Sequence, residues 1–215
     1  MKTKSRASAL IPILTLFSIV AAQERQASDA GKITAARVAR AEGEMTGVVY
    51  VTIDGKETKI ADAGVDAWVI QRGRQLVYSG RDGSGGYENE GMSLHVYDAR
   101  TGRQRKIMSE YFMVEKVAEV VTRSGKTALL VEMEDGGLGA SYFAVVDPTR
   151  GEVFFRRWAR LLSRKGDNLV LAFYREDDWE KLMQPNARVR PHRTERHNLS
   201  TILRRRVIVN KRDPN

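Results

Sequence analysis

Two stretches of the chain, 49 residues apart from Asp98 to Asp147, follow the same plan. Val96-Tyr97-Asp98-Ala99-Arg100-Thr101-Gly102 and Val145-Val146-Asp147-Pro148-Thr149-Arg150-Gly151 each end a strand-like run in Asp, turn for three residues and close on Gly. The Asp side chain can accept its own downstream backbone N–H and start the turn, and the glycine supplies the positive φ that finishes it. A weaker copy, Val51-Thr52-Ile53-Asp54-Gly55-Lys56, lies 44 residues before Asp98. A second marker precedes each strong copy. Arg72-Gly73-Arg74-Gln75-Leu76-Val77-Tyr78 corresponds to Ser124-Gly125-Lys126-Thr127-Ala128-Leu129-Leu130, and again to Lys165-Gly166-Asp167-Asn168-Leu169-Val170-Leu171. The order is glycine turn, strand, loop, strand, Asp-turn-Gly, strand. A unit of ~40–50 residues built this way is an antiparallel meander that cannot bury both faces alone, so its copies must stack.

The rest of the chain predicts an all-β fold. Val48–Ile53, Lys56–Ile60, Gln75–Ser79, Met92–Tyr97, Arg103–Ile107, Thr127–Glu132, Tyr142–Val146, Glu152–Arg156 and Asn168–Tyr174 are short, rich in β-branched and aromatic residues, and divided by Gly and Asp turns. That spacing fits a sandwich, a barrel or a propeller. Gly73, Gly102, Gly125 and Gly151 are expected in turns between antiparallel strands. Two helical segments are expected beside the strands. Lys32–Glu44 reads as a short N-terminal amphipathic helix, with Ile33, Ala36 and Ala39 or Arg40 along one side. Asp177–Leu182 reads as one helical turn with acidic residues at its start.

The repeat resembles the WD40-like (PD40) unit of TolB-type periplasmic β-propellers and of the propeller domains of prolyl-oligopeptidase-like peptidases. The match is fullest over residues 73–107. There Gly73-Arg74-Gln75-Leu76-Val77-Tyr78-Ser79-Gly80-Arg81-Asp82-Gly83-Ser84-Gly85 gives the glycine turn, the apolar strand ending in Ser and the Arg-Asp-Gly loop. Leu94–Gly102 gives the strand closing in Asp-x-x-x-Gly. The family's Ser-Pro-Asp before the glycine is absent, and Ile70-Gln71-Arg72 and Thr122-Arg123-Ser124 stand in its place. The resemblance implies a β-propeller-like array. At ~45 residues per unit the length allows about four antiparallel meander sheets. A four-bladed ring, an incomplete ring and a twisted stack of meanders all fit that count.

The N-terminus reads as an export signal. Lys2, Lys4 and Arg6 precede an apolar run from Ala9 to Ala22, and Val20 and Ala22 occupy the −3 and −1 positions of a cleavage site before Gln23. The run is shorter than the ~20 apolar residues a membrane span needs. The organisation expected is therefore a signal peptide over 1–22, a leader with the short helix over 23–45, the β domain over 46–187 and a basic segment over 188–215. Localisation is expected to be periplasmic or secreted, with no transmembrane span after cleavage.

Charge singles out the last segment. The chain has 36 Lys and Arg against 27 Asp and Glu, a formal net charge of +9. Residues 1–22 hold three of the basic residues and no acid, and 188–215 hold nine basic and two acidic. The remainder is 24 basic against 25 acidic, nearly neutral. A neutral body argues against a broad nucleic-acid face. Arg188, Arg190, Arg193, Arg196, Arg204, Arg205 and Arg206 are the candidate contacts for an anionic partner. Val207-Ile208-Val209, after Arg206, is the one stretch of the segment with strand propensity.

Catalytic material is sparse. The absence of cysteine excludes disulfide scaffolds, thiolate zinc sites, cysteine nucleophiles and lipid attachment through a cysteine. There is no Gly-x-Ser-x-Gly elbow and no P-loop. Asp82, Glu88 and Glu90 in the glycine-rich stretch Gly80–Gly91 read as solvated loop charge. Glu132, Glu134 and Asp135 read as an acidic rim. His192 and His197 read as exposed histidines of the tail, and His95 as a strand residue. Trp68, Trp158 and Trp179 read as packing. No catalytic residue, metal site or cofactor is expected. The function expected is an exported, non-catalytic binding module of the cell envelope, whose partner is another envelope protein or an anionic envelope surface. The competing expectation is an extracytoplasmic hydrolase or lyase that acts on a polymer through carboxylates such as Glu132 and Asp135.

Overall fold

The computed structural model describes residues 31–81, 92–111, 113–135, 140–182 and 188–204. Strands β1 (Ile33–Ala39), β2 (Gly47–Ile53), β3 (Lys56–Ile70), β4 (Gln75–Arg81), β5 (Met92–Asp98) and β6 (Arg103–Tyr111) form a first sheet in sequence order. Strands β7 (Met113–Val121), β8 (Thr127–Asp135), β9 (Ala140–Asp147) and β10 (Glu152–Trp158) form a second. Strands β11 (Arg160–Lys165), β12 (Asn168–Phe173) and β13 (Arg193–Asn198) form a third. Helix α1 (Glu176–Leu182) leads out of β12 and matches the expected acidic helical turn, and a single helical turn, α2 (Leu199–Ile202), follows β13. Every pairing is antiparallel. The fold is all-β, an incomplete propeller-like array of stacked meanders with short helical elements.

The sheets number three among the described residues, against about four expected. The first two units run together because β3 is 15 residues long. Its first half pairs with β2 and its second half with β4. The bend between the halves falls on a row of glycines: Gly64 pairs with Gly47 on one side and with Gly80 on the other. A Cβ on Gly64 would collide with Val49 Cγ2, and one on Gly80 would lie 2.8 Å from the Ala63 carbonyl oxygen. Strands without side chains along one line can fold closely over one another.

The expected N-terminal helix is corrected. Lys32–Glu44 holds strand β1, which pairs with β2 from Ile33↔Ile53 to Ala39↔Val48. The apolar side of the presumed helix was too thin to decide the local conformation. Cross-strand contacts decide it instead: Arg37 lies opposite Tyr50 with its guanidinium 4.4 Å from the ring centroid, and Arg37 Nε donates to Glu57 Oε1 at 2.8 Å. Tertiary pairing of this kind overrides weak propensity.

Three cores lie between the layers. Between the first and second sheets, Val77, Leu94, Val96 and Ile107 meet Val117, Leu129, Val131, Met133, Ala144 and Val146. Between the second and third, Ala128, Leu130, Phe143 and Val145 meet Leu169, Leu171, Phe173, Leu199 and Ile202. Strands β8 and β9 are buried on both faces, which explains their nearly unbroken apolar runs. The far face of the first sheet is closed by its own opening strands: Ile33, Val49, Val51 and Ile60 cover Leu76, Tyr78 and Tyr97. Each fully buried aliphatic or aromatic side chain here contributes about 1.5–3 kcal/mol.

The repeated turns are built alike. Asp98 Oδ1 accepts the Thr101 N–H at 2.9 Å, and the Gly102 N–H donates to the Asp98 carbonyl at 2.9 Å. Asp147 Oδ1 accepts the Thr149 and Arg150 N–H groups at 2.7 and 3.1 Å, and the Gly151 N–H donates to the Asp147 carbonyl at 2.8 Å. Gly73, Gly102, Gly125 and Gly151 all lie in turns between antiparallel strands and all have positive φ, as expected. The joints between sheets carry polar ties as well. The Gln71 N–H donates to Glu119 Oε2 at 3.0 Å, and the Arg123 N–H to the Asp167 carboxylate at 3.2 and 3.3 Å. The Arg105 guanidinium donates to the Pro148 carbonyl.

Candidate functional site

The third sheet begins as a tight hairpin. Arg160–Lys165 turns through Gly166 and Asp167 into the apolar run Leu169-Val170-Leu171, so that Lys165 pairs with Asn168. Leu169, Leu171 and Phe173 point into the core shared with the second sheet. Alternation turns Asn168 and Val170 to the opposite, outer side, while Ala172, in phase with them, is fully buried.

Strand β13 returns along β12 with Phe173↔Arg193, Leu171↔Glu195, Val170↔Arg196 and Leu169↔His197. The sequence RTERHN has no apolar alternation, and the reading of the segment located strand propensity only at Arg206–Val209. That later stretch, with Arg205 and Arg206, lies outside the described residues. The observed strand is an edge, where charged side chains are the usual occupants.

This placement sorts the candidate arginines. Arg188 and Arg190 are exposed on the approach to β13. Arg196 is exposed on the outer face opposite Val170. Arg193 is engaged by the fold: its guanidinium lies 4.5 Å from the Phe173 ring centroid, and its Nε is 3.2 Å from Glu195 Oε1. Arg204 closes α2, donating from Nε to the Ser200 carbonyl at 3.1 Å. The structure therefore brings Arg193 and Arg196 onto one strand but turns them to opposite faces.

The histidines depart from the expected solvated tail. His197 Nε2 lies 3.0 Å from Glu195 Oε2, and its ring centroid is 4.9 Å from that of Phe155. His192 Nδ1 lies 3.1 Å from the Phe173 carbonyl oxygen. The strand pairing of residues 193–198 carries the His197 ring into contact with Phe155 of the second sheet, while His192 is held against β12 of the third. His95 stacks on Tyr78, with ring centroids 5.0 Å apart, as a strand residue should.

Of the carboxylates considered for catalysis, Glu132 has a structural partner. Glu132 lies 3.6 Å from Lys116 Nζ, and its cross-strand neighbour is Phe143. The side chain of Asp135 lies outside the described residues, as do Asp82, Glu88 and Glu90. Among the described residues no group of three His, Asp or Glu side chains gathers as metal ligands, and no helix is long and apolar enough to cross a membrane. The serine–carboxylate pair Ser200 Oγ to Asp167 Oδ2, at 2.6 Å, shares its acceptor with the Arg123 N–H and serves to join sheets.

Among the described residues Asp98 is the one partly buried carboxyl with a resolved shift in acidity. Burial pushes it up, but hydrogen bonds from the Thr101 backbone and hydroxyl and from Gln75, with the Arg100 charge, outweigh this and hold it below the ordinary carboxylate range.

Two features escaped the sequence reading. Lys165 shares the outer face of the third sheet with Arg196, a conjunction visible only once β11 and β13 flank β12. Glu119 and Asp167 act as inter-sheet acceptors. The Lys165-Gly166-Asp167 marker is visible in the sequence, but nothing there reveals that Asp167 faces the Arg123 turn.

No protein-family model matches the chain, and no curated protein matches it. Among solved structures it is similar to the β-propeller domain of the Trilobed protease from Pyrococcus furiosus, described as having an open velcro topology. The identity is 12% and the TM-score 0.44, over 63% of this chain and 42% of that one. It is also similar to the acylaminoacyl peptidase of Pyrococcus horikoshii, at 12% identity and TM-score 0.41 over 65% of this chain and 25% of that one. An acylaminoacyl peptidase in complex with Z-Gly-Gly-Phe-chloromethyl ketone gives 13% identity and TM-score 0.40, over 65% and 26%. The chain thus corresponds to less than half the length of each of these proteins.

Proposed function

We propose that this chain is an exported, non-catalytic binding module of the cell envelope, released after Ala22 into the periplasm or beyond. It engages an anionic partner, an envelope protein or an envelope surface, through the arginines of residues 188–215. The observation that carries this reading is an imbalance of pairing. Exposed Arg188, Arg190 and Arg196 have no hydrogen-bonded, ionic or aromatic partner among the described residues. The carboxylates of Asp98, Asp147 and Asp167 are meanwhile engaged in turns and joints. Cations held on a folded scaffold without internal partners favour an external anion, and each is worth ~1 kcal/mol close to an anionic membrane.

The test uses the mature chain with Arg188, Arg190 and Arg196 replaced by Gln. Truncation before residue 188 is unsuitable, because it removes β13 from the third sheet. Loss of salt-sensitive binding to acidic polypeptide and to anionic vesicles in the variant is the expected result. Binding unaltered by the substitutions, or absent from the parent, overturns the reading. N-terminal sequencing of protein recovered from its native host should begin at Gln23.

A further inference from the structure

The array is joined by a device used twice in the same direction. At the first joint the donor is the backbone N–H of Gln71, two residues before Gly73, and the acceptor is Glu119 of β7. At the second the donor is the backbone N–H of Arg123, two residues before Gly125, and the acceptor is Asp167 at the third sheet's hairpin. The earlier sheet supplies the N–H from its glycine turn, and the later sheet supplies the carboxylate. The third sheet also turns on a positive-φ glycine, Gly166 at φ +59°, in a shorter connection, and Arg164 two residues before it is the end of the edge strand β11, paired with Leu169. No fourth sheet follows it among the described residues.

The face that a further layer would cover differs from the two already covered. Those are apolar, built from Val77 and Val96 at the first joint and from Leu130, Phe143 and Val145 at the second. The outer face of the third sheet has Lys165, Asn168 and Asn198 in one cross-strand row and Ser163, Val170 and Arg196 in the next. These two rows carry two cations and no carboxylate, while the next row, Arg160, Ala172 and Thr194, is closed off, with Ala172 fully buried and Arg160 Nε donating to Ser141 Oγ. Leu162, at the register shift of β11, is 50% exposed. Such a face is too polar to be half of a hydrophobic core. A second copy presenting the same face would set Lys165 and Arg196 against like charge, and the far side of the first sheet is already closed by β1 and β2. Charge complementarity leaves an acidic partner.

We propose that the outer face of the third sheet docks an acidic polypeptide surface, whose carboxylates lie against Lys165 and Arg196 and take, at the Arg164–Gly166 turn, the part that Glu119 and Asp167 play at the two inner joints. This rests on the reading of the chain as a binding module and names its face and its partner class.

The probe is poly-L-glutamate, with vesicles of phosphatidylglycerol and phosphatidylethanolamine as the lipid counterpart and sedimentation of the protein alone as the measure of self-association. Three charge-reversed forms of the mature chain are compared: Lys165→Glu with Arg196→Glu, Arg188→Glu with Arg190→Glu, and, as an off-face control, Lys56→Glu with Arg74→Glu. Reversal of two interfacial charges should weaken poly-L-glutamate binding roughly tenfold or more. The Lys56/Arg74 form should stay within about threefold of the parent, since those exposed residues belong to the first sheet and its turn. Hydrogen exchange at residues 163–166 should slow when poly-L-glutamate is added. If the reversed face variant melts early, Lys165→Gln with Arg196→Gln takes its place. The proposal falls if the Arg188/Arg190 form alone loses binding, and the binding-module reading survives that result. It falls equally if vesicles bind and poly-L-glutamate does not, or if self-association abolished by the face variant accounts for the contact. Absence of binding to either probe overturns both.

Discussion

Ser200 Oγ donates to Asp167 Oδ2 at 2.6 Å, and the same carboxylate accepts the backbone N–H of Arg123 from the second sheet. Asp167 is 7% exposed, so its carboxylate has little access to water and depends on these donors. Asp167→Ala should lower stability by about 1–3 kcal/mol, the cost of leaving buried donors unpaired. Ser200→Ala should cost about 0.5–1.5 kcal/mol. In urea unfolding the double variant should be less damaged than the sum of the singles, because both remove the same contact.

Gly102 and Gly151 separate two costs that usually come together. Both have left-handed φ, +65° and +70°. A Cβ on Gly102 meets nothing within 4 Å, whereas one on Gly151 lies 2.9 Å from Ile107 Cγ2. Gly102→Ala should therefore cost only the backbone term, about 1–2 kcal/mol. Gly151→Ala should cost more, and the additional Ile107→Ala should reduce the difference between the two glycine sites. Equal melting temperatures for the two single variants would contradict the placement of Ile107.

The depressed acidity of Asp98 sets a pH dependence. A carboxyl held lower in the folded state than in the unfolded chain adds stability above its unfolded pKa, and loses it as pH falls through the folded value. Asp98→Asn should therefore be less stable than the parent at neutral pH. The difference should begin to shrink near the ordinary Asp value of about 3.9, and the two proteins should converge only below the depressed folded value. Denaturation midpoints measured across that interval check the sign.

Substitution at the glycine row should act through packing. Gly64→Ala drives its methyl group into Val49, a side chain with no exposed surface. Overpacking of this kind costs about 1–3 kcal/mol. Gly64→Ala with Val49→Ala should recover part of that loss in thermal melts, and an unchanged or lower midpoint would argue against the close approach of β2 and β3.

The central strands could be read from the sequence because both faces of β8 and β9 are apolar and the Asp and Gly turns bracket them. Strand β3 was read short. Gly64 resembles an interruption when only local pattern is available, and its place opposite Gly47 and Gly80 becomes clear only when three strands are aligned. Strand β1 was misread because Ala and Arg favour helix locally, while its pairing with β2 is a matter of partners. Strand β13 had no signal at all, since RTERHN is a strand only by virtue of lying beside β12. The candidate arginines were legible as charge, but not as faces. Nothing in composition separates Arg193, laid on Phe173, from Arg196, turned outward.

The curl of β1 and β2 over the first sheet gives the molecule a polarity. Subunits that join head to tail must either close a ring or run on into a fibre. Here the head is occupied by its own chain, through Ile33, Val49 and Val51 packed on Leu76 and Tyr78. Addition is left to the tail, and one layer added there finds no vacant head on a neighbouring copy. Among the described residues the opening strands fill the place that the next copy's layer would need, so head-to-tail stacking of copies has no site from which to begin.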